Sequence, residues 1–95
     1  MRSYELTVIL NPDIAEEDVP QAMEKLSAVI AKRGGEITDT EHWGRRKLSY
    51  PIKHHSEGNY VMMKLGIEPE ETAQLENDLN LAEDYLRHLL LKISN

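Results

Sequence analysis

The spacing of apolar residues changes period along this chain, and the order of those changes limits the fold more than any other feature. From Arg2 to Leu10 the pattern alternates, with Tyr4, Leu6, Val8 and Leu10 on one side and Ser3, Glu5, Thr7 and Ile9 on the other. Period two is that of a strand with one buried face. Asn11-Pro12-Asp13 ends it, and Glu16, Glu17 and Asp18 follow, acids suited to the positive end of a helix dipole. Val19, Met23, Leu26 and Ile30 then recur at helical spacing, forming one stripe of an amphipathic helix. Pro20 fits only if that helix starts at about Glu16 to Val19, where a backbone N–H has no intrahelical partner to lose. Lys32-Arg33 and Gly34-Gly35 close it, with cations at the negative end and glycine free to reverse the chain.

Gly35 to Ile52 reads as a long extended stretch with Ile37, Trp43, Leu48, Tyr50 and Ile52 as apolar points and a bend or bulge at Gly44. Pro51 cannot donate to a ladder, so the stretch is expected at a sheet edge. His54 to Asn59 reads as a polar turn. Val61, Met63, Leu65 and Ile67 then alternate against Tyr60, Met62 and Lys64, a further strand. Glu68-Pro69-Glu70-Glu71 opens a second, short helix with Leu75 and Leu79 on its buried side. Tyr85 to Ile93 is leucine-rich, and its composition suits helix as well as strand. Its place after strand, helix, strand, strand and helix favours strand.

That order predicts an α+β fold of the ferredoxin-like, split βαβ type (βαββαβ). Two right-handed crossovers lay both helices on one face of a four-stranded antiparallel sheet and leave the other face open. Ninety-five residues suffice for one core and not for two, so residues 1–95 are expected to form a single domain.

There is no cysteine, which removes disulfides, thiolate catalysis and cysteine-based metal sites and suits a reducing cytosol. The start does not resemble a secretory signal, and strictly apolar runs such as Leu89-Leu90-Leu91 are far shorter than the roughly twenty residues of a membrane span. A soluble, cytoplasmic protein with no membrane contact is expected. Net charge is −6, which by itself argues against a polyanionic partner. Its distribution reverses the argument locally: from His42 to Ser56 there is no acid, while Arg45, Arg46, Lys47 and Lys53 supply cations beside His42, His54 and His55. Screening confines surface charge to about 8 Å at physiological salt, so a basic strip can hold phosphates on an acidic body.

Within the strip lies Trp43-Gly44-Arg45-Arg46-Lys47-Leu48-Ser49-Tyr50-Pro51-Ile52. Three successive cations on an edge strand serve equally well to block edge-to-edge aggregation or to grip phosphates. Trp43 and Tyr50 beside them could stack on bases. The segment resembles the signature of the bacterial small-subunit ribosomal protein six family, in which Trp-Gly, a basic stretch and Leu-x-Tyr-Pro-Ile follow in this order. The opening Arg2-Ser3-Tyr4-Glu5, running to Leu10-Asn11-Pro12, is similar to that family's start, and the likeness extends over residues 1 to 93.

The resemblance implies a ferredoxin-like structural protein of the small ribosomal subunit, in the cytoplasm, without catalysis or cofactor. It implies two partners: the central domain of small-subunit rRNA and small-subunit ribosomal protein eighteen. Carried over by position, the implied RNA contacts are Arg2, Arg45, Arg46, Lys47, Lys53, His54, Arg87 and Lys92. At Lys53-His54-His55 the chain departs from a fixed family pattern. With about five cations on phosphates, log affinity would fall against log salt with a slope of roughly −3.5 to −4.5.

The open sheet face is the expected site for the protein partner, carrying Glu5, Ile9, Tyr60 and Met62 by alternation, with Leu89 and Leu91 if the last strand presents them outward. In the other register His88 and Leu90 would face outward. A His88 turned inward needs a hydrogen-bond partner that local sequence does not name. His42, His54 and His55 near Asp39, Glu41 and Glu57 lack the ligand spacing of a metal site and read as solvated surface histidines. Gly34-Gly35 follows a helix, whereas anions are held at helix starts. The alternative reading is a ferredoxin-like small-molecule-sensing regulatory module, since one fold serves many functions. An enzyme with a carboxylate or histidine base at the sheet ranks below it, because no acid sits near a convincing partner, and no small-molecule substrate is expected.

Overall fold

The computed structural model describes residues 1–52 and 55–93. Strand β1 is Arg2–Leu10, helix α1 is Val19–Lys32 after a 3₁₀ turn at Glu16–Asp18, and strands β2 and β3 are Glu36–Ile52 and His55–Ile67. Helix α2 is Thr72–Leu81 after a 3₁₀ turn at Pro69–Glu71, and β4 is Tyr85–Lys92. The strands lie in the order β2-β3-β1-β4, every neighbouring pair antiparallel. This is the expected ferredoxin-like arrangement, with β1 at its centre.

The two periods of the sequence meet in one core. Leu6, Val8 and Leu10 of β1 and Val61, Met63, Leu65 and Ile67 of β3 face Leu26 and Ile30 of α1 and Leu75 and Leu79 of α2, all buried. Truncating any of the fully buried leucines to alanine costs about 2–5 kcal/mol through lost burial and the cavity left behind. Pro20 falls in the first turn of α1, where it removes no helical bond. At the far end of α1 the Arg33 guanidinium grips Asp78 of α2 as a fork, Nε to Oδ2 at 2.7 Å and Nη2 to Oδ1 at 3.0 Å. This hydrogen-bonded pairing lowers the Asp78 pKa and raises that of Arg33.

Two expectations were open and are resolved here. The final segment is a strand, and its register turns Leu89 and Leu91 outward and half-exposed while Leu90 packs against the core. His88 points to the helix side, its side chain 10% exposed, and its Nε2 lies 3.2 Å from Oε1 of Glu76 in α2. Glu76 is thus the missing partner.

One expectation is corrected. The polar stretch ending at Asn59 is not a turn from His55 onward: β3 already begins at His55, and His54 lies outside the described residues. β1 stops at Leu10, opposite Asn59, while β2 and β3 continue to pair as Arg46↔Gly58, Lys47↔Glu57 and Ile52↔His55. The two strands form an arm past the end of β1, where side chains need not be apolar to remain in a ladder. Ser56, Glu57 and Asn59 are polar because the arm lies beyond the core.

Candidate nucleic-acid interface

The arm explains how the basic run is presented. Between His42 and Gly44 the β2–β3 register shifts, and Gly44 sits at φ +81°, the left-handed conformation that glycine takes without steric cost. Beyond this bulge, side chains alternate across the ladder. Arg46 pairs with Gly58, which belongs to the same row as Tyr60 and Met62 on the open face. Arg45 pairs with Asn59 and Lys47 with Glu57, on the opposite face. The three consecutive cations therefore form no single-faced patch. They ring the arm.

Arg45 is tied down: Nη2 donates to the Pro12 carbonyl at 3.2 Å, and Nη1 lies 3.8 Å from Oε2 of Glu57. Arg46 lies over Trp43, its guanidinium carbon 5.4 Å from the ring centroid, within the range of a cation–π contact. Lys47 is exposed, with no ion pair among the described residues. Lys53 and His54 lie outside the described residues.

Arg87 joins this end of the molecule from the far edge of the sheet. It pairs with Ile9, which pairs with Tyr60, so all three share one row of the open face. Its Nη1 donates to the Tyr50 hydroxyl. Tyr50 and Arg87 belong to β2 and β4, the two edge strands, some three strand spacings or about 14 Å apart in a flat sheet. The arm therefore curls over the open face. Arg2 and Lys92 are elsewhere. They pair with Ile67 and Tyr4, residues of the helix-side rows, and Arg2 is roughly 23 Å along β1 from the Ile9 row. The structure does not bring them to the arm.

The open face carries Arg87-Ile9-Tyr60, Leu89-Thr7-Met62 and Leu91-Glu5-Lys64 as successive rows. Tyr60, Met62 and Glu5 are half-buried and Leu89 and Leu91 more exposed, as expected of a docking surface. Ile9 departs from that expectation, being only 8% exposed. Its Cγ2 occupies the space where a side chain on Gly58 would lie, with Leu48 Cδ2 beside that space. Alternation assigns Ile9 its face, but it cannot show that a glycine on β3 lets the residue sink. A shallow depression of about 180 Å³ remains among Thr7, Ile9, Tyr60, Arg87 and Leu89.

Trp43 and Tyr50 were legible only as aromatic neighbours of a basic run; their supports, Glu41 for the indole N–H at 3.2 Å and Arg87 for the phenol, come from pairing and curl. Among the histidines, His42 is exposed as expected, whereas His55 is partly covered, with Nε2 3.9 Å from Oδ2 of Asp13.

Residues 3–92 match the model of the family described as Ribosomal protein S6. Among curated relatives, the small ribosomal subunit protein bS6 of Caldanaerobacter subterraneus subsp. tengcongensis is 41% identical over 97% of this chain and 97% of its own. That of Desulforudis audaxviator is 40% identical over 97% and 98%. Among solved structures, 30S ribosomal protein S6 of Thermotoga maritima superposes with a TM-score of 0.89 at 28% identity, covering 97% of this chain and 87% of that one. The P2 domain of the chemotaxis kinase CheA from Thermotoga maritima, with a TM-score of 0.65 at 15% identity, shares the fold alone. This family is one of structural proteins rather than enzymes, and the chain belongs to it, the ribosomal protein S6 family of the small ribosomal subunit in the bacterial cytoplasm.

Proposed function

We propose that the chain binds the central domain of small-subunit rRNA through the β2–β3 arm and Arg87, and that small-subunit ribosomal protein eighteen docks on the open sheet face. One observation carries this reading: Arg46, Lys47 and Arg87 gather at one end of an acidic molecule, joined by Arg45 on the arm. Tyr60, Met62, Leu89 and Leu91, with Glu5 among them, form the protein side. Arg46 and Arg87 thus lie on the same face as the apolar docking rows, with Arg45 and Lys47 on the other side of the arm. Arg2 and Lys92 could contribute only through a second, separate contact.

The four cations described at this end, Arg45, Arg46, Lys47 and Arg87, contribute a slope of roughly −2.8 to −3.6 in log affinity against log salt when they sit on phosphates. Lys47→Glu, which breaks no ion pair of the described residues, should weaken RNA binding and flatten the slope by about one. Arg45, Arg46 and Lys47 all reversed to glutamate should abolish it. A slope near zero in the wild type, or reversal without effect, refutes the phosphate role. The open-face depression of about 180 Å³ is below the roughly 300–1,000 Å³ of ordinary small-molecule sites, so this face fits a protein partner better than a small ligand.

A further inference from the structure

The arm holds two large aromatic side chains out in solvent, Trp43 at 42% and Tyr50 at 56% exposure. Neither hangs free. The Trp43 indole N–H donates to Glu41 Oε2 at 3.2 Å, and Arg46 lies over the ring at 5.4 Å. The Tyr50 hydroxyl accepts from Arg87. Each ring is held at its rim or from one side, so its orientation is set before any ligand arrives. An ordered ring loses less side-chain entropy when it stacks. Both rings belong to the open-face side, because Arg46 shares a row with Gly58 and Arg87 shares one with Ile9 and Tyr60.

We propose that Trp43 and Tyr50 are stacking platforms for unpaired nucleobases, so that the arm takes single-stranded or bulged RNA rather than a continuous duplex. The proposal rests on the RNA reading above and narrows its ligand. A-form duplex offers a protein phosphates, 2′-hydroxyls and a shallow groove, with its base faces already stacked on one another. Exposed rings gain little there. Unpaired bases offer free faces, and the neighbouring Arg46 and Arg87, on the same face as the rings, hold the phosphates that connect them. Trp, Tyr and Arg also make protein hot spots, but the surroundings favour RNA: beyond Glu41, which holds the Trp43 indole at its rim, the segment from His42 to Ser56 has no acid, and the aliphatic surface of Met62, Leu89 and Leu91 lies in other rows.

Trp43 is the only tryptophan in the chain, so its indole N–H gives one resonance. The isotope-labelled chain, alone and with unlabelled small-subunit ribosomal protein eighteen, would be titrated with a short single-stranded RNA and with the same strand annealed into a blunt duplex. The expected result is an upfield shift of the indole resonance with single strand only. Trp43→Leu or Tyr50→Leu should weaken single-strand binding about 5- to 150-fold, the range for one lost base stack. Trp43→Phe and Tyr50→Phe should retain most of it. Because stacking carries no charge, the leucine variants should keep the salt slope that Lys47→Glu flattens. Unchanged affinity in both leucine variants with a persisting slope overturns the stacking role and leaves phosphate binding standing. Equal binding of duplex and single strand overturns it too, as does loss of protein eighteen without loss of RNA. Wild type that binds neither RNA, even with protein eighteen, overturns both readings.

Discussion

Gly58→Ala tests the packing that seats the base of the arm against the sheet. A methyl at Gly58 would occupy the position of Ile9 Cγ2 and meet Leu48 Cδ2 at 3.6 Å. Overpacking of this kind costs about 1–3 kcal/mol. Alanine also restricts the unfolded chain, returning about 0.4–1 kcal/mol, so the net loss should be about 0.5–2 kcal/mol. Ile9→Ala empties the same space from the other side. Since Ile9 is buried at 8% exposure, it should cost about 2–3 kcal/mol, the low end for a core truncation because the site is on the sheet's outer face. If one overlap causes the Gly58 loss, the double variant should be no worse than Ile9→Ala, with a favourable coupling of about 1–3 kcal/mol. Urea titrations of all four proteins measure the cycle, and an unchanged m-value shows that the comparison is one of stability. A Gly58→Ala protein as stable as wild type, or strictly additive variants, would refute this account of how Ile9 is covered.

Asp78→Asn should lower stability at neutral pH and cease to matter in acid. The folded Asp78 pKa lies below its ordinary value because Arg33 donates to it, so its contribution is complete above the unfolded value of about 3.9 and lost as pH falls through the lowered one. Equal acid sensitivity of variant and wild type would contradict the pairing. Burial raises the Tyr85 pKa to about 12, so unfolding should become easier as pH rises from about 10, where the unfolded phenol ionises, towards 12, and Tyr85→Phe should remove that dependence. Alkaline denaturation curves of the pair decide the matter. Tyr60→Asp with Met62→Asp should abolish binding of protein eighteen, read by co-elution, while the circular dichroism spectrum stays that of the folded chain. Unimpaired co-elution would move the docking surface elsewhere.

Much of the fold was legible because the residues that specify it repeat at short range. Tyr4, Leu6, Val8 and Leu10 announce β1, and the Pro20 and Gly34-Gly35 positions bound α1. What was not legible involves partners far apart in sequence. Glu76 completes His88 from another element. Gly58 admits Ile9, and Arg87 meets Tyr50 only because the arm curls across the sheet. The candidate site shows the same division. Arg45-Arg46-Lys47 is one block in the sequence, yet the ladder sends Arg46 one way and its neighbours the other. Arg2 and Lys92 share the charge of the block, and pairing places them at the opposite end of the strands. His55 to Asn59 reads as a turn because polarity marks both loops and strands that leave the core.

The position of β1 between β3 and β4 also sets the timetable of synthesis. The first strand made needs the last as its neighbour. At about 5–20 residues per second, the roughly 80 residues separating their syntheses take on the order of 4–16 seconds. During that interval one side of the nascent Leu6-Val8-Leu10 segment has no strand to pair with. A chain of a ribosomal family thus holds part of its own central strand unpaired until its last strand has been made.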